Sequence, residues 1–321
     1  MRVYVVGRGA VGGYLGETLA SVGVEVAYAP RERAQVQPFD ADVVIVATKA
    51  FDTPGAVETA RRAVAYPEKC VFVTPQNGVG NEELLAQAFG AQNVVAAALT
   101  TPVDRSDGRS RAANAGGLAL APMGDRAFNW LVATFASAGL RTMVVDDWRA
   151  LKWSKLALNV VANASCAILG VLPNRVVAYR EIFALEIEMI REVRAVMRAL
   201  GLQPIDLPRY PVRALFAAVA LPNPVARAIL ASRVAGARGT KPPSLLLDLR
   251  AGRTKTEVGV LNGAVAAAGR EAAVATPVNA CYARVLEEIA RSPERWARFR
   301  ERPDALVAEV EKEADARPQR S

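Results

Sequence analysis

The sequence predicts a doubly wound, mainly parallel α/β sheet followed by an all-helical domain. Three observations carry this. Short β-rich runs alternate with helical patterns through residues 1–147. Strand patterns stop from about residue 148 onward. Between the first strand and the first helix stands a turn spaced by glycines, "GRGAVGG". At 321 residues the chain is long enough for two domains with separate cores, expected at 1–147 and 148–321.

The predicted strands are 2–6, 24–29, 42–48, 70–74 and 94–99, with helices at 54–64, 81–89 and 125–138 among them. The strands are near-continuous apolar runs, as expected when both faces of a sheet are covered by helices. In the second half, helices are predicted at 148–170, 179–201, 211–219, 223–236, 243–251, 257–270 and 278–291. Glycines and prolines mark the breaks, as at Gly170/Pro173 and Gly201/Pro204. The tail 316–321 is polar and is expected to be disordered.

The turn reads G-x-G-x-x-G at Gly7, Gly9 and Gly12, directly after a strand and opening a helix. Gly7 permits the tight turn, Gly9 lets the backbone approach a pyrophosphate, and Gly12 lets helix and sheet pack closely. The helix start adds free N–H groups and a positive dipole end. This context identifies a Rossmann-type dinucleotide site, with Gly7, Arg8, Gly9, Ala10, Val11 and Gly12 as candidate cofactor contacts. At the end of the second strand stands Arg31, where an NAD site usually has an acid. An arginine suits a 2′-phosphate, so NADP is expected; Glu32 in the same charged run argues the other way. Lys49 and Asn77-Gly78 follow two further strands and are placed to face the cofactor. Each could instead be an ordinary surface lysine or Asn-Gly turn.

The stretch "LKWSKLALNVVANAS", residues 151–165, reads as a buried helix that is apolar nearly all round. Lys155, Asn159 and Asn163 recur at intervals of four and are expected to form one polar stripe. Buried polar groups need partners, either a polar core network or a ligand cleft between the domains. Lys152 lies one turn before Lys155 and competes with it as an acid on geometry alone. Downstream, Ser244 and Glu257 each start a helical pattern. They read as an N-cap and a first-turn acid, or as a second polar constellation.

Composition narrows the chemistry. The chain has no histidine, which excludes Ser-His and Cys-His nucleophiles and disfavours a transition-metal site. A general acid must be a lysine, a carboxylic acid, a tyrosine or a cysteine. Cys70, Cys166 and Cys281 lie far apart and read as core thiols. The net charge is +8, but basic residues are dispersed among acids, so no nucleic-acid partner is expected. Seven of the 40 basic residues are lysine, so a lysine in an apolar segment invites a specific explanation. No membrane span or signal peptide is read from the sequence, and a cytoplasmic location is expected.

Taken together, these residues resemble the ketopantoate reductase (2-dehydropantoate 2-reductase) family over nearly the whole chain. The resemblance rests on the glycine turn, Arg31, "TK" at 48–49, "NG" at 77–78, "WSKLALN…N" at 153–163, "S…D" at 244–248 and "GR..TEV..LNG" at 252–263. It implies a second domain like the C-terminal domain of 6-phosphogluconate dehydrogenase. The implied activity is NADPH-dependent reduction of ketopantoate to (R)-pantoate for pantothenate and coenzyme A synthesis. Lys155 is implied as general acid, with Glu257 at the cofactor–substrate junction. Asn159, Asn163, Ser244, Asn174 and Asn77 are implied as substrate-binding. Arg31, Lys49, Asn77 and Glu257 are implied as cofactor-binding.

The sequence departs from the family in three places. The segment after Arg31 is shortened, trimming a strand and its helix. The Ser244–Glu257 interval is longer than the commonest form. Lys241 stands where an asparagine often helps bind substrate. The alternatives are a reductase of another 2-oxo acid, akin to opine or β-hydroxyacid dehydrogenases, and a non-catalytic NADP-binding sensor. The leucine- and alanine-rich second half could also support a homodimer.

Overall fold

The computed structural model describes residues 1–30, 37–106, 108–112, 116–238 and 241–316. Arg31, Glu32 and the tail 317–321 lie outside the described residues. The chain forms two compact units. One comprises Met1–Lys155 with Ile205–Pro211, the other Leu156–Pro204 with Val212–Ser321.

Among the described residues the first unit has nine strands: β1 (Arg2–Val6), β2 (Glu25–Tyr28), β3 (Val43–Val46), β4 (Val71–Thr74), β5 (Val94–Leu99), β6 (Val103–Ser106), β7 (Arg109–Ala112), β8 (Leu118–Pro122) and β9 (Thr142–Val144). Seven make one sheet in the order β2-β1-β3-β4-β5-β8-β9. The pairings from β2 to β5 are parallel, β8 runs antiparallel to β5, and β9 is parallel to β8. β6 and β7 form a separate hairpin. β1–β5 match the five strands expected from the sequence, whereas β6–β9 were not expected, being short or carrying few β-branched residues.

Successive side chains of a strand point to opposite faces, and the buried clusters obey this. Val3, Val5, Val43, Ile45, Val71 and Val73 pack on one face with Leu15 and Leu19. Tyr4, Val6, Val44, Val46 and Phe72 pack on the other with Ala56 and Ala60. Covering helices on both faces explain the unbroken apolar runs. The helices of this half are α1 (Ala10–Ala20), α2 (Thr53–Ala63), α3 (Asn81–Phe89) and α4 (Asn129–Ser137), followed by α5 (Trp148–Val160). The segment 205–211 rejoins this unit. The Ile205 N–H donates to Ser154 Oγ at 2.9 Å, and Thr100 Oγ1 donates to the Pro208 carbonyl at 3.0 Å.

The remaining helices are α6 (Ala164–Leu169), α7 (Pro173–Ala178), α8 (Arg180–Ala199), α9 (Val212–Val219), α10 (Asn223–Arg238), α11 (Ser244–Arg250), α12 (Asn262–Glu271), α13 (Pro277–Arg291) and α14 (Pro303–Asp315). The expected helix over 257–270 is split. A short 3-10 turn, Glu257–Val260, precedes α12.

The expected single helix over 148–170 is also split, and this is a correction of consequence. α5 ends at Val160 and α6 begins at Ala164. Between them Ala162 adopts φ 51°, a left-handed conformation unusual for a residue with a Cβ. A carboxylate from α8 holds the break: Glu186 accepts the Ala162 N–H at 2.6 Å and a short hydrogen bond from Ser165 Oγ. Both backbone and hydroxyl donors exposed by the break are thereby satisfied. No described helix is long and apolar enough to cross a membrane.

Candidate functional site

In the first unit, the carboxyl ends of β1, β3 and β4 lie side by side because these strands are parallel neighbours. Ligands of such sheets bind beyond that edge. The glycine turn emerges there from β1. Gly7 has φ +101°, and a Cβ on it would stand 2.7 Å from the Ala47 carbonyl carbon and the Thr48 nitrogen. A Cβ on Gly12 would collide with the Gly7 carbonyl. These two glycines are required by the chain itself. Gly9 is different: a Cβ there would meet nothing within 4 Å. The Cβ side of Gly9 is open at the start of α1, a shape that fits a pyrophosphate, while its carbonyl accepts a hydrogen bond from Arg105 Nη1 at 3.2 Å. Ala10 and Val11, half-buried, form the first turn of that helix, and the exposed Arg8 guanidinium lies 4.4 Å over the Tyr28 ring.

Lys49 follows β3, half-buried, just before a short 3-10 turn at Ala50–Asp52. Asn77 follows β4, also half-buried. Gln76 ties these two strand ends together. Its amide donates to the Thr48 carbonyl at 3.1 Å and to Thr53 Oγ1 at 2.9 Å. Asn81 Nδ2 then donates to the Asn77 carbonyl at 3.1 Å.

Lys155 and Asn159 lie one turn apart on α5 and are half-buried. Asn163 does not continue their stripe, because the helix is broken at 161–163. It stands instead at the start of α6, buried, with Oδ1 accepting the Leu245 N–H at 3.2 Å. That bond brings Asn163 beside Ser244, the exposed first residue of α11. Ser244 makes no capping hydrogen bond; Pro243 holds the cap position. Asn174 is exposed in the first turn of α7. Glu257 is buried and opens its 3-10 turn. Asp248 is buried and paired with Arg253 at 2.9 Å.

A family model described as "Ketopantoate reductase PanE/ApbA" matches residues 30–125, and "Ketopantoate reductase PanE/ApbA C terminal" matches residues 147–290. A 2-dehydropantoate 2-reductase of Pyrobaculum aerophilum is 33% identical over 243 residues, covering 75% of this chain and 74% of that protein. The chain belongs to the ketopantoate reductase family.

A crystal structure of a PanE/ApbA family ketopantoate reductase from Ralstonia eutropha JMP134 is 26% identical, with a TM-score of 0.75. It covers 92% of this chain and 99% of its own. A ternary structure of D-mandelate dehydrogenase with NADH and anilino(oxo)acetate shares the fold, at TM-score 0.74 and 17% identity, over 92% of this chain and 100% of its own. The glycine turn at 7–12 lies ahead of both matched segments, so its reading rests on its own geometry.

In this ketopantoate reductase family member the sequence reading overlooked three groups around the predicted residues. Glu82, in the first turn of α3, is fully buried and ion-paired to Lys152 at 2.8 Å; burial pushes its carboxyl up, and the ammonium of Lys152 opposes that. Gln76, just before the Asn77-Gly78 turn, is buried and bonded to Thr48 and Thr53. Glu186 holds the α5–α6 break. A signal for Glu186 was present: it lies four residues from both Ile182 and Ile190, a carboxylate on the apolar stripe of α8. The three cysteines are buried thiols, and burial pushes Cys70 up to about 11 and Cys281 up to about 12.

Proposed function

We propose that this chain reduces the C2 ketone of 2-dehydropantoate (ketopantoate) to (R)-pantoate, with NADPH as hydride donor. The family membership carries this reading, and the open backbone at Gly9 beyond the carboxyl edge of β1 supports a dinucleotide there. NADPH over NADH rests on Arg31.

A bound nicotinamide supplies the hydride. The chain must then stabilise and protonate the oxygen that becomes an alkoxide. Lys155 does so: an ammonium at hydrogen-bond distance offsets the developing negative charge and donates a proton. Asn159, Asn163, Ser244 and Asn174 orient the substrate hydroxyl and carboxylate through neutral hydrogen bonds, which add no charge to the site. Asn77 contacts both cofactor and substrate, Lys49 contacts the cofactor, and Glu257 lies at the junction of the two. The burial of Lys152 and its ion pair with Glu82 favour Lys155 over it as the acid.

The test follows NADPH and NADH oxidation against a panel of 2-oxo acids. Ketopantoate is expected to be the preferred acid and NADPH the preferred donor. Turnover of other 2-oxo acids without ketopantoate refutes the substrate, and no turnover at all refutes a reductase. Lys155→Ala is expected to lower kcat by about 10²- to 10⁴-fold while NADPH still binds. Unimpaired turnover would refute the acid role.

A further inference from the structure

Lys152 and Glu82 are among the most deeply buried charged side chains described, at 1% and 0% exposure. An ammonium has three donors, and Lys152 has three acceptors around it. Glu82 Oε1 lies at 2.8 Å, the Gln76 carbonyl at 2.6 Å and the Ala97 carbonyl at 3.4 Å. These come from α3, from the loop after β4 and from β5. Stability alone does not explain two buried charges here, because a buried ion pair is often no better than apolar side chains of similar volume. What the pair does, and apolar side chains would not, is fix one hydrogen-bonded geometry.

The fixed groups adjoin the residues proposed to act. The Gln76 carbonyl held by Lys152 belongs to the peptide that leads into Asn77. The next carbonyl, of Asn77 itself, is held by Asn81. The Gln76 side chain braces Thr48, next to Lys49. Lys152 sits one turn before Lys155 on α5. Thus one buried network touches the neighbours of Lys49, Asn77 and Lys155. We propose that the Lys152–Glu82 ion pair is a positioning device for the reductase site, fixing the Asn77 loop against the helix that carries Lys155. This rests on the reductase reading above.

The test uses the full chain with the paired replacement Lys152→Met/Glu82→Gln. Both charges leave together, so no unpaired carboxylate or ammonium stays buried. The variant is expected to unfold at nearly the parental temperature. Its kcat with ketopantoate is expected to fall about 10²-fold, the scale of an ångström-sized misplacement, with a much smaller change in KM. Amide exchange at residues 77–80 is expected to speed up while β1, β3 and β4 remain protected. Should that pair fail to fold, Lys152→Leu/Glu82→Met repeats the measurement with an apolar pair. A folded variant with parental kcat overturns the positioning role. If the parent reduces no 2-oxo acid, the functional reading fails, and exchange decides this inference by itself: unchanged protection at 77–80 overturns it.

Discussion

The chain bends sharply at two places that adjoin proposed site residues, and the two bends are built differently. After β1, the turn into α1 is encoded where it occurs. Gly7 takes φ +101° and Gly12 lets the helix start pack against the turn. Between α5 and α6, the bend is made by Ala162 at φ 51°, a residue with no intrinsic preference for it. There the bend is sustained from elsewhere, by the buried Glu186 of α8. The same helix repeats the device with Glu192, which accepts the Val278 and Asn279 N–H groups at the start of α13, at 2.8 and 2.9 Å. A glycine turn is thus a local solution. A bend held by a remote carboxylate depends on the rest of the fold being in place.

The largest effect comes from removing the remote brace. Glu186→Ala leaves the Ala162 N–H buried without its acceptor and the Ser165 hydroxyl with only the Tyr282 hydroxyl, at 3.3 Å. It is expected to cost about 3 kcal/mol of stability, measured by denaturant unfolding. A loss near zero would mean that the break is encoded locally after all.

Glu192 gives an effect of similar size that depends on pH. Burial pushes its carboxyl up to about 7, against the three N–H donors that favour the charged form. The folded-state value lies above the unfolded one, so the folded chain holds the proton more tightly. Its contribution to stability is therefore fully present below about pH 4.5 and lost as pH rises toward 7, by about 3 kcal/mol in all. Unfolding measured across that range should show the fall, and Glu192→Gln should flatten it. A slope that persists in the variant assigns it to another group.

At the local bend the prediction separates ligand from fold. A Cβ at Gly9 meets nothing in the chain, so Gly9→Ala should leave the unfolding temperature unchanged. It should weaken NADPH binding about tenfold, or about 1.4 kcal/mol, in a fluorescence titration. Unchanged affinity would remove the pyrophosphate from that position. The smallest effect belongs to Ala162→Gly. It relieves the left-handed strain and gives back part of the gain in chain entropy, for a net stabilisation of about 0.5–1 kcal/mol. Destabilisation would show that the Cβ of Ala162 packs usefully.

Short-range pattern is legible in the order of residues alone. Unbroken apolar runs between helical patterns determined the parallel strands β1 to β5. Glycine spacing determined the first turn, and alanine-rich periodicity with proline breaks determined the helical second half. The family's residues could be named from spaced motifs. Three things were decided by the tertiary structure. β8 pairs antiparallel with β5, a choice that depends on how the chain returns after the β6–β7 hairpin. Asn163 leaves the helical stripe and meets α11, because Glu186, 24 residues from Ala162, satisfies the broken backbone. Lys152 and Lys155, three residues apart and alike in the sequence, part company: Lys152 meets the Gln76 carbonyl across a sequence separation of 76 residues, and Lys155 stays half-buried on the same helix. Periodicity says which way a side chain faces. Which donors and acceptors wait on that face is set by distant segments, and for a buried charge those partners decide its role.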